Sequence, residues 1–355
     1  MDIQSFYKGR KVFITGHTGF KGAWMCMVLA LAGAEVTGYS LNPPTNPSLF
    51  EIANIDKRIE KSITGDIRDL GLLKEAMEAA VPEIVIHMAA QPLVRESYQD
   101  PVYTYETNVM GTVNILEAIR NCATVKSFIN ITTDKVYLNQ EWEWGYREID
   151  RLDGYDPYSN SKSCSELITN SYRKSFFNSR NIAISTCRAG NVIGGGDFAK
   201  DRIIPDCIRA MEKGTEVTIR NPHSTRPYQH VLEPVYTYLL LAQKQYENLQ
   251  FAGAYNVGPN EEDCITTGEL VALFCSLWGN GAKWKTSNES NAVHEANFLK
   301  LDCSKIKKML RWSPVWHIED AVKMTVEWSK AYVHKEDVSL VMEKQIEKFL
   351  KDMKG

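Results

Sequence analysis

Tyr158 and Lys162, in the string YSNSK, stand one helical turn apart. An ammonium at that distance can stabilise a phenolate, and a phenol so tuned can remove a proton from an alcohol while hydride leaves the same carbon. Spacing alone decides nothing, because Tyr7 and Lys11 share it ahead of the first strand's glycine turn. Context separates the two pairs: Thr132 and Thr133 close an apolar run upstream of Tyr158 and bring hydroxyls that can hold the same alcohol. A second chemical feature is TGHTGFKG, Thr15 to Gly22, which follows Val12, Phe13 and Ile14 and precedes the apolar segment 23–34. Gly16 permits the tight bend, Gly19 lets backbone N–H groups approach a pyrophosphate, and Gly22 lets helix and strand pack closely. A triphosphate P-loop needs Gly-Lys-Ser/Thr at this place, whereas here Lys21 precedes Gly22 and Ala23 follows.

Placing these residues requires strands that end at a common edge. Apolar runs at Lys11 to Thr15, Glu35 to Tyr39, Glu83 to Met88, Ser127 to Thr132 and Ala183 to Arg188 read as strands, separated by amphipathic stretches at Leu70 to Ala80, Asn108 to Asn121, Ser159 to Phe177 and Arg202 to Lys213. Such alternation predicts an α/β fold, a Rossmann-type doubly wound parallel sheet with a smaller C-terminal substrate-binding domain. Ligands gather beyond the C-terminal strand ends of such sheets, which selects Ala89 to Gln91, Thr133 to Lys135 and Gly190 to Asp197. After Arg188 the texture turns loop-rich, NVIGGGDF and RNPHSTRPYQHVLEP, the composition of a substrate-binding region.

The 355 residues, 44% hydrophobic and 24% charged with net charge −3, describe an ordinary globular protein and give no reason to expect nucleic acid or an acidic membrane surface as partner. Eight cysteines form no CxxC pair, so reduced thiols are expected rather than a zinc ribbon or a disulfide framework. The N-terminal stretch MDIQSFYKGRKV lacks an apolar leader and segment 23–34 is too short to span a bilayer, so a cytoplasmic location is expected.

TGHTGFKG, GDIRD at Gly65 to Asp69, HMAAQ at His87 to Gln91, TTDKVY at Thr132 to Tyr137 and YSNSK occur in the order and spacing of the extended short-chain dehydrogenase/reductase family, which the chain resembles. Longer strings (HMAAQPLVRESYQDP, GYDPYSNSKS, AGNVIGGGDF, RNPHSTRPYQHVLEP, HEANFLKLDCSK) are similar to the nucleotide-sugar 4,6-dehydratases within it. The resemblance implies NAD as cofactor, lying along Gly16, Thr18, Gly19, Phe20, Gly22, Ser40, Asp66, Ile67, Ala89, Ala90, Gln91, Asn108 and Thr132 and reaching Tyr158 and Lys162. It implies CDP-glucose as substrate, with a dTDP- or GDP-sugar dehydratase or a 4-epimerase as the alternative. It also implies residues 1–187 plus about 229–258 as the NAD-binding domain, 188–228 with 259–355 as the nucleotide-sugar domain, and a homodimer or homotetramer packed through Asn108 to Asn121 and Ser159 to Phe177.

The implied chemistry oxidises carbon 4 of the hexose, eliminates water across carbons 5 and 6, and returns hydride to carbon 6. Thr133 holds the alcohol, Tyr158 is the base, Asp134 fits the acid that protonates the departing hydroxyl. Lys135 stands where the dTDP-glucose dehydratases carry Glu: it acts as the carbon-5 base if burial or a neighbouring cation depresses its pKa, or it stabilises the enolate. Gln91, Asn191, Arg202, Arg220, Arg226, His230 and His294 are the expected substrate contacts, the arginines as forks for a diphosphate. No metal is expected, since HEANF lacks the second histidine of HExxH. Ser40 ends the second strand where Asp or Glu usually receives the adenosine ribose, and His17 and Lys21 are bulky for their places, so weak NAD binding is expected. No arginine follows Ser40 closely, which favours NAD over NADP. A non-catalytic dinucleotide sensor is the rival from another class, and the intact Tyr158 and Lys162 argue against it.

Overall fold

The computed structural model describes residues 3–287 and 298–354. Among them seven strands form one parallel sheet: β1 (Lys11–Thr15), β2 (Glu35–Ser40), β3 (Lys61–Thr64), β4 (Ile84–His87), β5 (Ser127–Ile131), β6 (Ala183–Ala189) and β7 (Ala254–Val257). Their order is β7-β6-β5-β4-β1-β2-β3, so the winding reverses between β1 and β4. Val12, Phe13 and Ile14 pair with Val36, Thr37 and Gly38 on one side and with Ile84, Val85 and Ile86 on the other. A strand covered on both faces reads as a near-continuous apolar run, which is why β1 and β4 stand out in the sequence, while β5 and β6 interleave buried polar residues with their apolar ones.

One face of the sheet carries α1 (Phe20–Leu31) and α6 (Leu232–Glu247); the other carries α2 (Leu70–Ala80), α3 (Gly111–Asn121) and α4 (Pro157–Tyr172). Trp24, Tyr238, Leu239 and Trp328 are wholly buried on the first face, and Ile115, Leu116, Phe128 and Phe177 on the second. The smaller lobe has its own core, where Ile204, Cys207 and Ile208 of α5 (Ile203–Glu212) meet Leu270, Val271 and Phe274 of α7 (Thr267–Trp278). Helix α8 (Ile318–Val333) serves both lobes, since Ala321 and Val322 enter the small core while Met324 and Trp328 enter the large one. The last helix, α9 (Val338–Asp352), lays Met342, Ile346 and Phe349 into the core shared with Trp24, so it lies with the sheet rather than with the smaller lobe.

Two helices run differently from the expectation. The stretch expected as helix from Asn108 begins as a π turn, Glu106–Met110, before α3 starts, and α4 gives way to a second π turn, Arg173–Phe177. All eight cysteines are free. No helix among the described residues is long and apolar enough to cross a membrane.

Candidate active site

Gly16 and Gly22 are the crowded positions of the turn. A Cβ on Gly16, at φ +78°, would lie 2.6 Å from the Ala89 amide nitrogen, and one on Gly22 would lie 2.2 Å from the Gly16 carbonyl oxygen. Both positions exclude any side chain. Gly19 meets only an ordinary contact, 3.5 Å to Gly16 O, and caps α1 with no side-chain hydrogen bond, so the first-turn N–H groups stay open to an anion. Thr15 knits the reversal point together: its hydroxyl meets His87 Nδ1 at 2.7 Å and accepts from the Met88 and Ala89 amides at 3.2 Å. Thr18 Oγ1 lies 2.9 Å from Ser40 Oγ, which joins the turn to the end of β2.

A cavity of about 310 Å³ opens beside this turn, with Phe20, Thr133, Asp134, Lys135 and Tyr158 on the sheet side and Asn191, Arg202, Arg220 and Arg226 on the small-lobe side. Local sequence explains the placement of Tyr158. Asp156 caps α4 by accepting from the Ser159 amide at 2.9 Å, Pro157 fills the first helical position, and Tyr158 follows one residue inside. Thr133 donates to Asp134 Oδ1 at 2.9 Å and shares a hydrogen bond with Tyr158, so hydroxyl, carboxyl and phenol touch in sequence. Asp134 is buried and its Oδ2 has no partner. That oxygen leaves no room for a Cβ on Gly190, which would approach it to 2.1 Å.

Electrostatics in the cavity differ from the simple picture of a lysine tuning a phenol. Burial pushes Tyr158 up to about 12, with the Thr133 hydrogen bond and Arg202 drawing it down. Lys162 points its ammonium at the Ile131 carbonyl, 3.3 Å away, and burial with Lys21 nearby pulls it down to about 7. Lys21 also lines the cavity, held near 8 by burial and by Arg202, with Asp134 and Asp197 opposing. Arg202 is fixed by Asp197 at 3.0 Å, and Arg220 reaches exposed Asp201 at 3.3 Å.

Several expected contacts lie elsewhere. His230 is wholly buried between the rings of Trp24 and Trp316, its Nδ1 accepting from the Leu232 amide at 3.3 Å; an aromatic slot in the large core, not the cavity, holds it. Gln91 spends its side chain on Thr104 and the Leu93 amide, and Asn108 bridges the Gln91 backbone to Ser161 Oγ. These hydrogen bonds engage both side chains in shaping the loop after β4. Ile67 is packed in the core against Gly111, and Thr132 gives its hydroxyl to Glu166 Oε1 at 2.5 Å. Asp66 is gripped by Arg68 at 2.8 Å, while Ala89 and Ala90 stay half-buried beside the turn. His17 turns under β2, filling the space that Gly38 leaves and meeting Ser62 Oγ at 2.7 Å, so its ring does not protrude into the cradle. His294 lies outside the described residues.

A sheet reversing beside a glycine turn, with a phenol and lysine on the helix after β5, finds its counterpart in a family model described as GDP-mannose 4,6 dehydratase, which matches residues 13–325. The chain belongs to that family. It is 48% identical over 98% of both chains to CDP-glucose 4,6-dehydratase of Salmonella typhimurium, and 25% identical to dTDP-glucose 4,6-dehydratase of Haemophilus influenzae over 89% of this chain and 97% of that one. Among solved structures, UDP-glucose 4-epimerase of Thermotoga maritima superposes with a TM-score of 0.76 at 22% identity, covering 91% of this chain and 99% of the other. The NAD complex of dTDP-glucose 4,6-dehydratase from Bacillus anthracis gives 0.75 at 19% identity, covering 92% and 99%. These two share the fold. Membership in the GDP-mannose 4,6 dehydratase family, itself among the extended short-chain dehydrogenases/reductases, accounts for the sheet and the YSNSK helix together. Sequence reasoning passed over Lys21 as a cavity residue and missed the buried Glu166–Arg188 pair, 2.8 Å apart. The repeat of Tyr158, Lys162 and Glu166 at four-residue intervals was the available signal for the second.

Proposed function

We propose that the chain converts CDP-glucose to CDP-4-keto-6-deoxyglucose with net loss of water. The observation that carries this reading is the convergence on one cavity of Thr133, Tyr158, Asp134 and Lys135, with guanidinium groups across from them. Identity of 48% over nearly the whole of a CDP-glucose 4,6-dehydratase supports cytidine as the base. The uncapped start of α1 and the two glycines without room for a Cβ fit a dinucleotide pyrophosphate, with Thr18 and Ser40 toward its adenosine end. A nicotinamide dinucleotide held there supplies oxidation at carbon 4 and the matching reduction at carbon 6.

Tyr158 takes the proton of the carbon-4 hydroxyl, which Thr133 holds in place. A ketone at carbon 4 makes the neighbouring carbon-5 proton acidic enough to leave. Lys135 faces that step, either as the base that takes the carbon-5 proton and returns it once hydride has reached carbon 6, or as the cation beside the enolate while a water carries that proton, and Asp134 gives a proton to the departing carbon-6 hydroxyl. Arg202, Arg220, Arg226 and Asn191 receive the diphosphate, because planar forks bind two of its oxygens at once. Exposed Val102, Met110 and Leu167 lie on the α3–α4 side and support a homodimer through that face.

The test is incubation with NAD and a panel of CDP-, dTDP-, UDP- and GDP-glucose, followed by the alkali-induced absorbance of a 4-keto-6-deoxy sugar. Product from CDP-glucose is expected. A carbon-4 epimer without water loss, or product only from another nucleotide, overturns the reading. Asp134→Asn should stop water loss while some NADH still forms on mixing, and Lys135→Arg, which keeps charge but cannot act as base, separates the two roles of Lys135.

A further inference from the structure

Tyr158, Lys162 and Glu166 occupy successive turns of one face of α4, and all three reach the C-terminal end of β5. Tyr158 meets Thr133, Lys162 Nζ donates to the Ile131 carbonyl at 3.3 Å, and Glu166 Oε1 accepts from the Thr132 hydroxyl at 2.5 Å. The second Glu166 oxygen accepts from Thr186 Oγ1 at 2.7 Å and from Arg188 Nη2 at 2.8 Å, in a region where both members of the ion pair are 3% exposed. A buried carboxylate with this many donors is held in one geometry.

The groups facing Lys162 come from three elements. Lys21 approaches from α1, His87 from β4, and Glu166 from its own helix. Burial holds His87 neutral, down to about 3, and burial with Lys21 works against the ammonium. Among the described residues the carboxylate that opposes them is that of Glu166, whose charge is shared with Arg188 on β6.

We propose that Glu166 is a positioning residue for the hydride-transfer pair: its grip on Thr132 fixes the strand end that presents Thr133 and Asp134, and its carboxylate, one helical turn beyond Lys162, favours the ammonium form of that lysine against burial and Lys21. The idea rests on the reading of Tyr158 and Lys162 given above. Lys162 itself is the reporter. In protein carrying ¹³Cε-lysine, the resonance lost in Lys162→Met identifies it, and its titration is followed without substrate or dinucleotide. Glu166→Gln should lower that titration by about one pH unit, and Arg188→Met, which leaves the carboxylate unshared, should raise it. Because removing one partner of a buried pair threatens folding, the double variant Glu166→Gln/Arg188→Met serves as the neutral replacement and should show the same lowering. With CDP-glucose, the alkaline limb of kcat/KM should move down by a similar interval in the double variant. An unmoved lysine titration in the folded double variant overturns the proposal, as does a loss of kcat/KM by the same factor at every pH. A lowered titration in a protein inactive on all nucleotide-glucoses supports the tuning and strikes the substrate assignment instead.

Discussion

The turn at Gly16 to Gly22 and the strand end at Ile131 to Lys135 lie at the same edge of the sheet with β4 between them, one shaped by backbone and the other by side chains. At the turn, crowding at Gly16 and Gly22 dictates the path, and what remains for a ligand is a row of peptide N–H groups. At the strand end, Thr132 is tied to Glu166, Thr133 to Asp134 and Tyr158, and Asp134 is pressed against Gly190. A backbone site tolerates changes in its neighbours' side chains as long as the glycines stay. A side-chain site depends on partners brought from distant strands, and each is a place where function can be lost without loss of fold.

That contrast breaks most sharply at Tyr158. Tyr158→Phe should lower turnover of CDP-glucose by about 10²–10⁴-fold while calorimetry still finds NAD bound and the melting temperature stays close to that of the parent. If dinucleotide binding vanishes too, the two regions are not separable. Gly16→Ala is the converse, since a methyl at φ +78° and 2.6 Å from a backbone nitrogen should cost roughly 3 kcal/mol or more of stability and abolish NAD binding. Urea unfolding would read the first and calorimetry the second; an unchanged midpoint would contradict the crowding argument. Ser40→Asp sharpens the comparison from the turn's side, adding an acceptor for ribose hydroxyls beside Thr18 and tightening NAD by about tenfold. No change in the NAD dissociation constant would show that Ser40 does not sit by the ribose.

The smallest effect lies away from both regions, at His317, whose Nδ1 is 3.0 Å from Asp263. Asp263 raises the imidazole above its usual value, so the folded state holds the proton more tightly than the unfolded chain. The stabilisation is complete below about pH 6.5 and fades as pH climbs through the raised value. The imidazole is more than half exposed, which keeps the effect small. Melting temperature should therefore drop slightly between pH 6 and 8, and His317→Gln should remove that slope.

The five inner strands were legible to within a residue at each end, because burial leaves runs that are mostly apolar, with Asn130, Ser185, Thr186 and Arg188 as buried polar members. The two outer strands were not. Lys61–Thr64 is largely exposed and polar, and Ala254–Val257 breaks its short run with Asn256, so neither reads as an apolar segment. The glycine turn, YSNSK and the arginine loops were legible because they are local. His230 misled because its string resembles a ligand-binding one, whereas its ring is claimed by Trp24 and Trp316, which lie far away in the sequence. Arg188 was hidden for a related reason: its pairing with Glu166 is made by the packing of α4 on β6, and only the four-residue spacing of Glu166 from Lys162 pointed to the pair.

Helix α9 carries one more consequence. Met342, Ile346 and Phe349 close the core that begins at Trp24, and Arg58 near the start of the chain is paired with Glu343 at 2.6 Å. During synthesis the residues around Trp24 therefore emerge with part of their apolar cover missing, and a nascent chain halted before residue 338 should present that uncovered face to chaperones.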